Sequence, residues 1–182
     1  MRLKQFITEL SIGKAATFAN DKHVGQFRKS SGAPYITHPM KTYKILRDIG
    51  VKDKEVLTAA WLHDTLEDTD VNYNTIKREF NKAVADLVKE VTSDKKKIYK
   101  MGKPKYLLDK MVKMSNNALL IKLADRLQNL SDISTVSKSF AEKMYNQTRF
   151  IIDGLREKRN LSNIHKKLIR KIDKQLREYN ET

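Results

Sequence analysis

The chain has 182 residues, enough to bury a sizeable core in one domain, and no cysteine, which excludes disulfides, thiolate metal sites and thiol nucleophiles. No apolar run reaches the length of a membrane span and the opening MRLKQFITEL lacks the apolar stretch of a signal peptide, so a cytoplasmic protein is the simplest expectation. Lysine and arginine number 37 against 22 acidic residues, and the formal charge of +15 favours anionic partners such as phosphorylated small molecules, nucleic acid or an acidic membrane surface.

Six glycines and three prolines interrupt the chain, so helix should dominate. A first helix is expected over 3–22, followed by a loop at 24–36 that carries Gly25, Gly32 and Pro34. Pro39 suits a first helical turn, where its missing N–H costs nothing, and Gly50 should end that helix. Asp53 can cap the next one, whose residues Val56, Leu57, Ala60, Trp61 and Leu66 approximate a 3.6-residue period. Two short helices fit 73–92, with Ile76, Phe80, Val84, Leu87, Val88 and Val91 facing inward. The basic stretch 94–104 breaks the apolar pattern and reads as a loop. Helices resume at 105–113, 117–131 and 138–156. The segment 158–182 is a C-terminal amphipathic helix, with Leu161, Ile164, Leu168, Ile172, Leu176 and Tyr179 on one stripe that packs on the domain. No strand or internal repeat is signalled. The chain reads as one all-α domain.

Two stretches carry residues that packing does not require. In LHDTLEDTD, helical spacing places His63 with Glu67 on one face and Asp64 with Asp68 on the next. Carboxylates at a helix C-terminus oppose the dipole by about 0.3–1 kcal/mol each, so something positive should offset them. In LLIKLADRLQNL, Asp125 and Asn129 share a face of an otherwise apolar helix. A buried carboxylate needs a cation or donors; Lys122, three residues back, is one candidate, and a bound metal is the other. Together His38, His63, Asp64 and Asp125 offer nitrogen and oxygen ligands without sulfur, a set that suits Mn²⁺, Fe²⁺ or Zn²⁺. Such an ion acidifies water, and Glu67 and Asp68, one turn beyond, can orient it and shuttle its proton.

RKSSGAPYITHP, LHDTLEDTD and IKLADRLQNL, in that order and spacing, resemble the HD-type hydrolase domain of the RelA/SpoT family, in particular its single-domain members. The likeness also takes in FNKAVADLVKEVTSDK and YNQTRFIIDGL, and extends over roughly residues 15–157. It implies an α-helical, Mn²⁺-dependent enzyme that removes the 3′-pyrophosphate of (p)ppGpp, giving GDP or GTP. Carried over by motif, His38, His63, Asp64 and Asp125 would hold one ion, and Glu67 and Asp68 would activate water. Arg28 would stack on guanine, Lys29 and Ser30 would lie along the nucleotide, Asn129 would contact its ribose or phosphate side, and Tyr145 would be a pocket tyrosine. Ser131 stands where the family often has arginine, so one phosphate contact is absent. There is no room for a synthetase domain.

Other readings follow from the same residues. The enzyme could act on another nucleotide, such as NADPH. A basic nucleic-acid-binding protein would use the charge instead, but the residues hardest to explain are acidic, and aromatics are not interleaved with the basic runs. His23 is expected to be structural at a helix end, His165 has no assigned chemistry, and Trp61 should be core. Lys100 and Lys103 are the best polyphosphate candidates in the basic segment 95–105. The sequence leaves the oligomeric state open, a homo-oligomer included.

Overall fold

The computed structural model describes residues 2–133 and 136–180. The helices run α1 (Arg2–Lys22), α2 (Thr37–Asp48), α3 (Lys54–Leu62), α4 (Thr65–Asp68), α5 (Tyr73–Glu79), α6 (Lys82–Val91), α7 (Lys95–Met101), α8 (Lys103–Lys113), α9 (Asn116–Ser131), α10 (Lys138–Lys158) and α11 (Asn163–Asn180). The fold is all-α. Among the described residues the one β-like feature is an isolated antiparallel bridge between Phe27 and Pro34. No helix among them is long and apolar enough to cross a membrane.

α9 is the axis of the bundle. Leu119, Ile121, Leu123, Ala124, Leu127 and Leu130 are buried along it, and α2, α3, α6, α10 and α11 all pack against it. α3 lies in turn against α1, α2 and α6, and α8 against α10. The last pair comes close because residue 154 is glycine: a Cβ there would sit 2.5 Å from Leu108 Cδ2. Asp53 caps α3 as expected, accepting from the N–H groups of Glu55 (2.9 Å) and Val56 (3.0 Å). The stripe on α11 does pack on the rest, with Leu168, Ile172 and Leu176 buried. Trp61 sits at the edge of the core and stacks on Tyr43, with ring centroids 5.4 Å apart.

Two expectations are corrected. The basic segment is not a loop at 94–104; α7 occupies Lys95–Met101, capped by Asp94, whose carboxylate accepts from Lys96 and Lys97 N–H. Lysine has good helix propensity, and a helix held by Ile98 alone shows no apolar stripe for periodicity to find. Gly102, at φ +79°, separates it from α8. The second correction concerns His63 and Asp64. They do not continue one helix into Glu67 and Asp68: α3 ends at Leu62, and a four-residue turn, α4, begins at Thr65. His63 Nδ1–H donates to Ala60 O at 2.8 Å and Thr65 Oγ1–H to Leu62 O at 2.7 Å. These side chains take the carbonyls that a continuing helix would have used.

His165, given no role by the sequence, anchors the start of α11. It is buried; its Nδ1 lies 2.7 Å from Ser162 Oγ and its Nε2 donates to Asn116 O at 2.9 Å. Burial lowers its pKa below the usual 6.5, the Asn116 carbonyl works the other way, and the Arg159 charge adds to the lowering. The folded state thus prefers the neutral ring, and this contribution to stability is complete above the unfolded value and lost as pH falls through the folded one. His165→Ala should destabilise by about 1–3 kcal/mol, the scale of buried hydrogen-bonding groups left unmatched. It should also flatten the loss of Tm on acidification from about pH 7 to 5 relative to wild type. Thermal melts across that range check both, and parallel wild-type and variant curves would assign the acid sensitivity to another group.

Candidate metal centre

Three crossing helices deliver the side chains. α2 carries His38 in its first turn, the break after α3 carries His63 and Asp64, and the middle of α9 carries Asp125. His38 Nε2 is 3.1 Å from His63 Nε2, 3.3 Å from Asp64 Oδ2 and 3.3 Å from Asp125 Oδ1. His63 Nε2 is 3.2 Å from Asp64 Oδ2 and 3.9 Å from Asp125 Oδ1. Ligand atoms of His38, His63 and Asp125 lie within 4.8 Å of one another, as a shared ion requires. Asp64 approaches the same two nitrogens. All four predicted ligands therefore meet.

The electrostatics are those of a cation site. Burial opposes ionisation of Asp125, but the Lys122 charge and the His38 and His63 rings hold it well below the usual carboxylate range. Burial likewise opposes ionisation of Asp64, which is only partly covered, and the His63 charge with hydrogen bonds from both rings holds it well below that range. Burial works to lower the His38 pKa, yet the hydrogen bonds and charges of Asp125 and Asp64 push it up to about 9. Lys122, weighed from the sequence as the partner of Asp125, is indeed there, 2.7 Å from Asp125 Oδ2. It and the imidazoles share that carboxylate.

The loop before α2 forms the outer wall. Arg28 N–H donates to Ala33 O, Gly32 N–H to Arg28 O and Tyr35 N–H to Gln26 O, at 2.8, 2.8 and 2.9 Å. This small hairpin turns through Gly32 at φ +69°. It presents Arg28, Lys29 and Ser30 to a cavity of about 950 Å³, which Asp68 and Asn129 also line. The opposite wall is apolar: Ile133, Val136, Phe140 and Met144. Arg28 Nη2 donates to Asn129 Oδ1 at 2.8 Å, and Asn129 Nδ2 donates to Asp125 Oδ1 at 2.6 Å. The cavity is thus one hydrogen bond from the His/Asp cluster, since Asn129 itself lines it.

The remaining expected residues divide. Asp68 is tied in by Tyr35, whose hydroxyl lies 2.7 Å from Asp64 Oδ2 and 3.1 Å from Asp68 Oδ2. Glu67 is held differently: its Oε2 accepts from Ser93 N–H at 2.8 Å, and its charge acts on Lys103, Lys110 and Lys122. Tyr145 is not in the cavity. It is buried and stacks on Tyr179 of α11, centroids 3.8 Å apart, while the preceding residue, Met144, faces the cavity. One residue is 100° of helix, enough to exchange a cavity position for a core one. Lys100 and Lys103 do not line the cavity either, although Lys103 feels the Asp125 and Glu67 charges. Ser131 turns back on its own helix, donating to Leu127 O.

Sequence reasoning missed Tyr35, Gln128 and Asp132. Gln128 contacts His38 Nδ1 and donates to Asp132 Oδ2 at 2.7 Å; Asp132 also pairs with Lys41 at 2.9 Å and Arg28 at 3.5 Å. A signal was present: Asp125, Gln128, Asn129 and Asp132 fall at i, i+3, i+4 and i+7, one polar stripe on an apolar helix. Tyr35 carried no periodic signal, because it lies in a loop. His23, expected to be structural at a helix end, is buried and stacks on Tyr35 at 4.6 Å.

Ligand nitrogens must be unprotonated to bind a metal, so uptake of an ion here should release a proton whenever His38 starts charged. Since the hydrogen bonds and charges of Asp125 and Asp64 push that ring up to about 9, apparent metal affinity should rise with pH from about 6 to 9 and level off above. Calorimetry in buffers of different ionisation enthalpy reads the released proton directly. Affinity independent of pH over that interval would separate His38 from the ion.

Comparison with known proteins follows the geometry. An HD-domain family model matches residues 15–159. The Xenopus tropicalis protein named guanosine-3′,5′-bis(diphosphate) 3′-pyrophosphohydrolase MESH1 is 37% identical over 152 residues, covering 80% of this chain and 84% of that protein. Human MESH1, of the same name, is 42% identical over 123 residues, 66% of this chain and 68% of its own. A solved structure described as a metazoan ortholog of SpoT that hydrolyzes ppGpp and plays a role in starvation responses superposes with a TM-score of 0.80 at 30% identity, over 93% of this chain and 95% of that one. The Listeria monocytogenes protein lmo0812 shares the fold, with a TM-score of 0.68 at 22% identity, over 83% and 98%. A buried His/Asp cluster on crossing helices, a matching family model and these relatives agree: the chain belongs to the HD-domain family, in the group that holds the MESH1 pyrophosphohydrolases.

Proposed function

We propose that this protein is a Mn²⁺-dependent hydrolase that removes the 3′-pyrophosphate of ppGpp or pppGpp, leaving GDP or GTP. The observation that carries the reading is the meeting of His38, His63, Asp64 and Asp125 beside a cavity with a basic rim and an apolar wall. The names of the MESH1 relatives and the activity ascribed to the SpoT ortholog support the same substrate. Two imidazoles and two ionised carboxylates without sulfur fit a divalent ion of intermediate hardness. Held there, such an ion would supply Lewis acidity toward a phosphoryl oxygen and make water a better nucleophile near neutral pH.

The protein's own groups do the rest. Asp68 reaches the cavity with one oxygen held by Tyr35, and we assign it the proton of the attacking water. To Glu67, whose Oε2 is fixed by Ser93 N–H and which does not line the cavity, we assign the orientation of that water. Tyr35 stays protonated: burial and the Asp64 and Asp68 charges push its pKa far up, so its one proton remains to be shared between the two carboxylates, Asp64 the nearer. Arg28 offers a planar cation to a base, Lys29 and Ser30 flank the nucleotide, and Asn129 joins the Arg28 side of the cavity to Asp125. Phe140 and Met144 give the base an apolar surface. A nucleotide substrate and a chain without cysteine both suit the cytoplasm, where we place the enzyme.

The test is turnover with Mn²⁺ across ppGpp, pppGpp and NADPH, with products identified. Pyrophosphate released from the alarmones, and abolished by a chelator, is the expected result; turnover of NADPH alone would move the enzyme to another substrate. Asp125→Ala should lose ion and activity together. Asp68→Asn and Glu67→Gln should keep the ion and lower kcat by about 10²–10⁴-fold, the scale of a positioned acid or base. Full turnover in Glu67→Gln would leave the water to Asp68.

A further inference from the structure

Gln128 is buried in the last turn of α9, although it brings an amide with two donor hydrogens and an acceptor oxygen into an apolar helix. Its partners are few and specific. Oε1 contacts His38 Nδ1 and lies 3.4 Å from Arg28 Nη2, while Nε2 lies 2.7 Å from Asp132 Oδ2. Two of these settle which way the amide points. A guanidinium only donates and a carboxylate only accepts, so oxygen has to face Arg28 and nitrogen Asp132. His38 Nδ1 therefore meets an oxygen with no hydrogen to give, and must itself carry the proton. That leaves Nε2, the nitrogen facing His63, Asp64 and Asp125, as the one free to bind an ion.

We propose that Gln128 is a positioning residue for the metal centre: it holds His38 in the Nδ1–H tautomer and joins that ring to the arginine of the nucleotide cavity. The proposal rests on the metal-centred reading above. Its anchor is firm, because Asp132 is itself held by Lys41 at 2.9 Å and by Arg28 at 3.5 Å. Partners that orient a metal-binding histidine matter to the ion nearly as much as the ligand: losing one typically weakens metal affinity about 10–100-fold.

The experiment uses the intact protein without substrate. Gln128→Met keeps the length of the side chain and removes both polar ends; its Mn²⁺ and Zn²⁺ affinities, measured by calorimetry, should fall about 10–100-fold, with an unchanged circular dichroism spectrum. Equal affinities in a folded variant would overturn the proposal. The second measurement needs no variant. In ¹⁵N-histidine-labelled wild type loaded with diamagnetic Zn²⁺, His38 should show a protonated, exchange-protected Nδ1 and a metal-bound Nε2. A His38 ring with bare or metal-bound Nδ1 would overturn it, whatever the variant does. If wild type takes up neither ion, the metal-centred reading fails first and the assignment of Gln128 falls with it.

Discussion

Asp64, partly buried, and Asp125, buried, lie within 3.3 Å of the same imidazole nitrogen, and their shared negative charge is the constraint around which α2, α3 and α9 are arranged. Two carboxylates do not enter a protein interior together without positive charge between them. Among the protein's own groups that charge comes from His38, whose pKa is pushed up to about 9, and from Lys122 on the far oxygen of Asp125. A packed apolar cluster of the same volume would be easier to stabilise, so the polar one is explained by what it binds.

The supports of that cluster lead outward to a single place. From Asp64, the hydrogen bond of Tyr35 leads to Asp68; from Asp125, that of Asn129 leads to Arg28; from His38, Gln128 leads to Arg28 and Asp132. Each route ends at the 950 Å³ cavity. The nucleotide groups and the ion are therefore positioned by one hydrogen-bonded frame resting on α9 and on the hairpin around Gly32. The break at His63–Asp64 belongs to the same design. At this break Asp64 Oδ2 lies 3.2 Å from His63 Nε2.

Much of this was legible in the sequence, and for identifiable reasons. Asp53 before an apolar run, Pro39 in a first turn and the dense leucine pattern of α9 each express a local rule, and local rules survive folding. The convergence of His38, His63, Asp64 and Asp125 was legible because these residues have no better use in their helices. What failed was tertiary or subtler. α7 gives periodicity nothing to register, since its lysines lie on the surface and Ile98 alone joins the core. Tyr145 and Met144 differ by one step of helical phase, which no motif fixes without the packing of α11. Gln128 and Asp132 were readable as a polar stripe with Asp125 and Asn129, but a glutamine reads as surface until something beneath it needs an oxygen.

The most direct test of the account is a crystal structure of the protein grown with Mn²⁺, with data collected at the manganese absorption edge. A single anomalous peak at coordination distance, about 2.0–2.3 Å, from His38 Nε2, His63 Nε2 and one oxygen each of Asp64 and Asp125 is the predicted result. A peak elsewhere, or none at saturating manganese with the four side chains in the places described, would contradict it.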